Sequence, residues 1–237
     1  MTSLLFRDDA YLRSTSAKVI DVLPDGAILL DQTVFYATSG GQPGDSGALI
    51  ASDGKRIVIA TAIHPEGDKT RIVHVPAEGQ PTLSVGDVVT AEIDWDRRYR
   101  LMRMHTALHL LSVAIPLPVT SGSIGEDKGR LDFDMPESPE DVAAIEAAVN
   151  AMVEADYPVT SEWISDDEML ARPDLIKTMK VKPPMGQGRV RLVQIGDIDL
   201  QPCGGTHVAR TSEIGRLTIG KIEKKGKQNR RIHLHFA

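Results

Sequence analysis

Hydrophobic spacing changes character once along this chain, at Asp94-Trp95-Asp96, and no other feature constrains its folding as tightly. Before that point, short runs rich in Val, Ile and Thr alternate with turn-forming clusters. Ala17 to Val22, Ala27 to Leu30, Arg56 to Ala60, Thr70 to Val75 and Val88 to Asp94 read as strands, separated by P-D-G, S-G-G-Q-P-G-D-S-G, S-D-G, P-E-G-D and V-G-D. Short strands at such spacing predict a small antiparallel β-barrel. From Arg97 onward, Leu101, Met104, Leu108, Leu111 and Ile115 recur every third or fourth residue, a helical period that Pro116 ends. A second helix is expected to open at Pro139, Glu140 and Asp141, with Val142, Ile145, Val149 and Met152 on one face before Tyr157-Pro158. Strand patterns return at Val159 to Ile164, Arg189 to Ile195, Leu217 to Ile222 and Arg231 to Phe236. The expected fold class is therefore α+β, with a β-barrel domain over residues 1–95 and an α+β domain over residues 96–237. No internal repeat is visible.

Two domains suit a chain of 237 residues, each long enough to bury a core. With 41% hydrophobic and 25% charged residues and a net charge of -6, the composition is that of a globular protein rather than a disordered or membrane-spanning one. The opening M-T-S-L-L-F-R-D-D-A-Y turns acidic too soon for a signal peptide, so a cytoplasmic protein is expected. Acidity disfavours indiscriminate coating of nucleic acid, DNA included, yet leaves room for a local basic patch. A monomer with no membrane partner is the expectation.

The single cysteine, Cys203, cannot form an internal disulfide. It stands four residues before His207 in C-G-G-T-H, and a second pair, His105 and His109, lies in H-T-A-L-H on the first helix. Histidines at i and i+4 stack on one side of a helix, about 6 Å apart at Cβ, so that two nitrogens can converge on one ion. Both follow stripe residues, Met104 and Leu108, and so lie on the flank of the apolar face. In the other pair, Gly204 and Gly205 let the backbone fold tightly, because glycine takes conformations that other residues resist. Taken singly, each pair has a plain structural reading: two partly buried histidines, and a cysteine in a glycine turn. Together, one thiolate and three imidazoles suit a single zinc ion. Four firm ligands would make the site structural; if one binds loosely, His207 at the end of its glycine loop is the candidate. Zinc peptidase chemistry is disfavoured, since H-T-A-L-H lacks the glutamate of H-E-x-x-H.

The joint pattern H-T-A-L-H and C-G-G-T-H closely resembles the editing domain of alanyl-tRNA synthetases and its free-standing AlaX-type relatives. The resemblance extends from D-Q-T-V-F-Y-A-T-S-G-G-Q-P-G-D-S-G through G-R-L-D-F-D to D-I-D-L-Q-P-C-G-G-T-H-V-A-R-T-S-E-I-G and K-I-E-K-K-G-K-Q-N-R-R-I, covering the chain from about residue 5 onward. It implies a translation-factor-like barrel, then an editing domain of the threonyl/alanyl-tRNA synthetase type. The implied activity is zinc-dependent hydrolysis of seryl, and also glycyl, esters on the alanine-specific tRNA. The alternative is a non-catalytic, zinc-stabilised module that binds tRNA or a synthetase.

The resemblance makes His105, His109, Cys203 and His207 the zinc ligands. It also places pocket residues in P-V-T-S-G-S-I-G, where Thr120 is the candidate partner for a serine hydroxyl; an ordinary Thr-Ser-Gly turn is the plain reading. A polar group awaiting that hydroxyl would be left unpaired by alanine, and so would discriminate. Thr106, inside the metal motif, is a second catalytic candidate, with back-bonding along its own helix as the alternative. By the resemblance, Gly40, Gly41 and Gln42 would position the tRNA acceptor end or modulate specificity; a hairpin loop is the plain reading. Phosphates would be met by the basic run holding Lys221, Lys224, Lys225, Lys227, Arg230 and Arg231, with Arg97, Arg98, Arg100 and Arg103 as a second patch.

Overall fold

A computed structural model describes residues 2–65, 68–177 and 188–237. It divides into two compact units, Met1–Tyr99 and Arg100–Ala237. The first is built from β1 (Ser3–Leu4), β2 (Ser14–Val22), β3 (Ile28–Leu30), β4 (Gln32–Thr33), β5 (Gly47–Ala51), β6 (Arg56–Ile63), β7 (Val73–Pro76) and β8 (Val88–Ile93). Six of these close an antiparallel barrel in the order β2-β3-β7-β6-β5-β8, while β1 and β4 form a short parallel pair. Closure leaves the barrel no free edge. Alternation drives it: in β6, Ile57 and Ile59 are buried while Arg56 and Val58 are exposed. Strand β5, which begins at the last residue of the expected S-G-G-Q-P-G-D-S-G turn and was not among the expected strands, sits between β6 and β8.

That glycine motif is held from within the same unit. Ser39 and Gln42 exchange backbone hydrogen bonds at 3.1 and 2.9 Å around Gly40 (φ +57°) and Gly41 (φ +85°), a two-residue turn with both centres left-handed. At Gly47 a Cβ would fall 2.1 Å from Glu92 O. Asp45 accepts from Arg98 Nε at 3.0 Å, and Arg98 also donates to Ala10 O (3.0 Å) and Val34 O (2.7 Å). Arg98 is fully buried, so it is a barrel residue and not part of the surface patch expected of it.

Helix α1 (Trp95–Ala114) begins in the first unit and continues into the second. Asp94 caps it, accepting from Arg97 N at 3.2 Å. The second unit continues with β9 (Val119–Ile124), β10 (Lys128–Asp134), α2 (Val142–Glu154), β11 (Val159–Ser165), α3 (Asp166–Ala171), β12 (Arg189–Ile195), β13 (Asp199–Pro202), β14 (Leu217–Gly226) and β15 (Asn229–Phe236). Two antiparallel sheets result, ordered β14-β15-β10-β9 and β11-β12-β13. Strand β9 replaces the turn that Thr-Ser-Gly suggested. Helix α2, capped by Asp141, satisfies the edge of β14: Asn150 and Leu217 bond both ways at 2.9 Å, and Ile219 N donates to Glu146 at 2.8 Å. Helix α1 packs on the four-stranded sheet at Gly129, where a Cβ would lie 2.8 Å from Met104 Sδ. Among the described residues, no helix is long and apolar enough to cross a membrane.

Candidate metal centre

Helix α1 brings His105 and His109 to one side, one turn apart, with ring centroids 5.2 Å from each other. The apolar surface of α1 is wider than the expected stripe: Leu101, Met102, Met104, Ala107, Leu108, Leu110 and Leu111 are all buried, so both histidines are enclosed rather than flanking. Strand β13 delivers the other pair. Its alternation sets Asp199 and Gln201 on one face, and Cys203 follows the strand directly, its N–H donating to Arg191 O at 3.1 Å. Beyond it the loop turns back, and His207 meets the His105 ring at a centroid distance of 4.2 Å.

The ligand atoms of His105, His109, Cys203 and His207 lie within 4.8 Å of one another. Tetrahedral zinc bonded to sulfur and nitrogen at its usual lengths separates those atoms by about 3.5 Å. Cys203 Sγ stands 3.4 Å from His105 Nε2 and 3.3 Å from His207 Nε2. Donor types, separations and enclosure thus fit zinc.

Outer partners fix the rings. His109 Nδ1 donates to Asp199 at 3.1 Å, which turns Nε2 toward the cluster. Asp199 in turn accepts from Gln201 at 2.8 Å and pairs with Lys177. Thr106 donates its hydroxyl proton to Met102 O at 3.0 Å; with that proton committed, its oxygen accepts from His207 Nδ1 at 3.1 Å. His207 is therefore buried, with its ring held by Thr106 as well as carried on its glycine loop. Gly204 has no positive φ and open space where a Cβ would be; the loop is instead held by Arg191, which donates to Cys203 O at 3.2 Å and Gly205 O at 3.0 Å.

Charge follows from these contacts. Burial opposes a proton on His109, but the hydrogen bond to Asp199 and the neighbouring Cys203 override it, raising its pKa to about 9. Burial and the charge of His105 push His207 down to about 3. Burial alone would raise the Cys203 thiol; the charges of His105 and His207 hold it well below its usual range, favouring the thiolate a metal needs. Asp199 is disfavoured as an anion by burial, yet His109, Lys177 and Gln201 bring it down to about 2.

The remaining expected site residues lie elsewhere. Thr120 is on β9, donating to Asp132 O at 3.1 Å and accepting from Asn229 Nδ2 at 2.6 Å. Gly40, Gly41 and the buried Gln42 form the barrel-unit turn. Arg103 donates to Ile214 O at 3.0 and 2.6 Å and lies 4.2 Å over the Phe236 ring. Lys221, Lys224 and Lys225 are exposed on β14. Arg230 is buried, donating to Pro136 O and Gly226 O, and Arg231 binds Asp132 at 2.8 and 2.9 Å. Sequence reasoning missed Asp199, Gln201, Lys177 and Arg191; the alternation in D-L-Q-P-C was the available signal for the first two.

Residues 190–233 match the family described as threonyl and alanyl tRNA synthetase second additional domain. Residues 9–97 match the class II (A) tRNA synthetases. The chain is 36% identical to the alanyl-tRNA editing protein AlaX-M of Methanosarcina acetivorans, over 98% of both chains. It is 32% identical to AlaX-M of Saccharolobus solfataricus, again over 98% of both. Against the alanine–tRNA ligase of Pyrobaculum arsenaticum it is 39% identical, with 94% of this chain matching only 25% of the ligase. Full-length similarity of this kind, joined to the histidine–cysteine cluster, leads to one conclusion: the chain belongs to the AlaX-M family of alanyl-tRNA editing proteins.

Proposed function

We propose that the chain is a trans-editing aminoacyl-tRNA deacylase, hydrolysing the ester that joins serine, and also glycine, to the alanine-specific tRNA. One zinc ion per chain would be held by His105, His109, Cys203 and His207. The observation that carries this reading is the convergence of those four donors in a chain similar from end to end to proteins named for alanyl-tRNA editing. When bound, zinc supplies Lewis acidity toward a carbonyl oxygen and makes water easier to deprotonate. The side chains do the positioning. Asp199 and Thr106 hold two imidazoles with their free nitrogens inward. Cys203 serves as a thiolate ligand and not as the nucleophile.

Thr120 is assigned the amino-acid contact. Its proton goes to Asp132 O and one lone pair to Asn229, so it can meet a serine hydroxyl only as an acceptor. Alanine offers no such proton. Gly40, Gly41 and Gln42 of the barrel unit, taken as translation-factor-like, are assigned to the acceptor end of the tRNA. Exposed Lys221, Lys224 and Lys225, with the half-buried Arg231, are assigned to its phosphates, on a surface that Arg103 and Arg230 shape through their internal bonds. The protein would act as a cytoplasmic monomer.

The test is deacylation of alanine-specific tRNA charged separately with serine, glycine and alanine. Loss of the seryl ester with the alanyl ester spared, and a folded but inactive Cys203→Ala, is the expected result. Four enclosed ligands also favour a second reading, a closed structural zinc in a non-catalytic tRNA- or synthetase-binding module. Metal-loaded protein that leaves all three esters intact would establish it.

A further inference from the structure

The sheet β14-β15-β10-β9 has two unlike faces. Gly129, Leu131, Phe133, Ile232 and Leu234 are buried, with Gly129 against α1. Strand alternation sends their neighbours the other way, and the register aligns them in rows: Lys128 beside His235, Arg130 between Ser123 and His233, Asp132 between Ser121 and Arg231, and Arg231 beside Glu223. Lys128, Ser123, Thr218, Lys221 and Lys225 are exposed, and Arg130, Arg231, His233 and His235 half-buried, as a solvent-facing sheet surface requires.

This face carries more donors than acceptors. Two of its three carboxylates are each already shared by two cations: Asp132 by Arg130 and Arg231, at 2.8 Å each, and Glu223 by Lys221 and Lys225, at 3.0 and 2.7 Å; the third, Asp134, stands at the end of its row beside Asn229. Lys128 adds a fifth cation in a chain whose net charge is -6. On the same face, His233 Nε2 is buried without a hydrogen-bond partner, 4.0 Å from Glu223. Burial, with Arg231, His235 and Lys128 nearby, keeps its pKa below the usual value despite Glu223.

We propose that this open sheet face docks the sugar-phosphate backbone of duplex RNA, the acceptor stem of the tRNA, through Lys128, Arg130, Arg231, Lys221 and Lys225. Phosphate oxygens supply the acceptors the face lacks. Four strands at sheet spacing span about 14 Å, wide enough for several phosphates of one duplex edge. The hydroxyls of Ser123 and Thr218 suit ribose 2′-OH groups. No Phe, Tyr or Trp projects from the face, and such rings are what single-strand binders use for base stacking. The inference rests on tRNA being the partner, but not on ester hydrolysis.

The experiment measures binding of uncharged alanine-specific tRNA, a hairpin duplex of its acceptor stem, and a single strand of the same length, each across a salt series. Lys128→Glu is compared with Lys18→Glu, an exposed barrel residue carrying the same charge change. Expected are a preference for the duplex, about a tenfold loss for Lys128→Glu with a shallower salt slope, and no change for Lys18→Glu. Lys225→Glu should repeat the loss. If both face variants bind like wild type while wild type binds tRNA, or the single strand competes equally with the duplex, the docking face is wrong and the deacylase reading stands. Wild type that binds no tRNA at all overturns both.

Discussion

His74 shows how a buried titratable residue becomes a pH dependence. Its Nδ1 donates to Ile28 O at 3.0 Å and its Nε2 accepts from Thr33 at 2.8 Å, a network complete only for the neutral ring. Burial depresses its pKa from 6.5 to about 4. Above 6.5 the ring is neutral folded or unfolded; as pH falls from there toward 4, only the unfolded chain gains the proton, so stability drops. The full loss is about 3 kcal/mol. Denaturant unfolding of the barrel at a series of pH values should show it, and His74→Gln should remove that part of the slope; equal slopes would contradict the assignment. At the metal centre, Asp199→Asn and Thr106→Val should each weaken zinc about 10–100-fold in chelator competition, with secondary structure retained. The convergence of His105, His109, Cys203 and His207 was legible because H-x-x-x-H and C-x-x-x-H are spacings with a geometric meaning. Asp199 escaped notice because an acid on a strand reads as a solvated residue until its neighbours are known. Arg98 misled for the opposite reason, since its partner Asp45 lies 53 residues away.

At the scale of elements, periodicity carried most of the information. The first helix was expected from Arg97 to Ile115 and runs Trp95–Ala114; the strand at Arg189–Ile195 has the expected bounds. Strand β9 was missed because Thr-Ser-Gly-Ser has no apolar alternation, and it is held as a strand by its partner β10. The width of the buried surface on α1 was also invisible, because Met102, Ala107 and Leu110 fall off a single stripe and are covered only by tertiary packing. One contact links helix position to the metal site. Gly129→Val places bulk where Met104 and Leu108 already stand 2.8–3.0 Å from a Cβ. Overpacking of this kind costs about 1–3 kcal/mol. It should also shift the helix that carries His105 and His109, so a lower unfolding midpoint should come with weaker zinc binding. A variant with native zinc affinity would show that the sheet does not set the helix position.

For the molecule as a whole, the histidine–cysteine cluster brings together segments 98 residues apart in sequence, and all four of its members belong to the Arg100–Ala237 unit. The barrel holds no member of that cluster and folds around its own core of Val19, Leu30, Phe35, Leu49 and Ile59. Metal removal should therefore weaken the second unit and leave the barrel intact. The account stands most directly on one comparison: seryl-tRNA deacylation by native protein, by protein stripped with a chelator, and by stripped protein restored with one equivalent of zinc, with circular dichroism recorded for each. It predicts activity lost on stripping and recovered on restoration. Undiminished cleavage by folded, metal-free protein would contradict it.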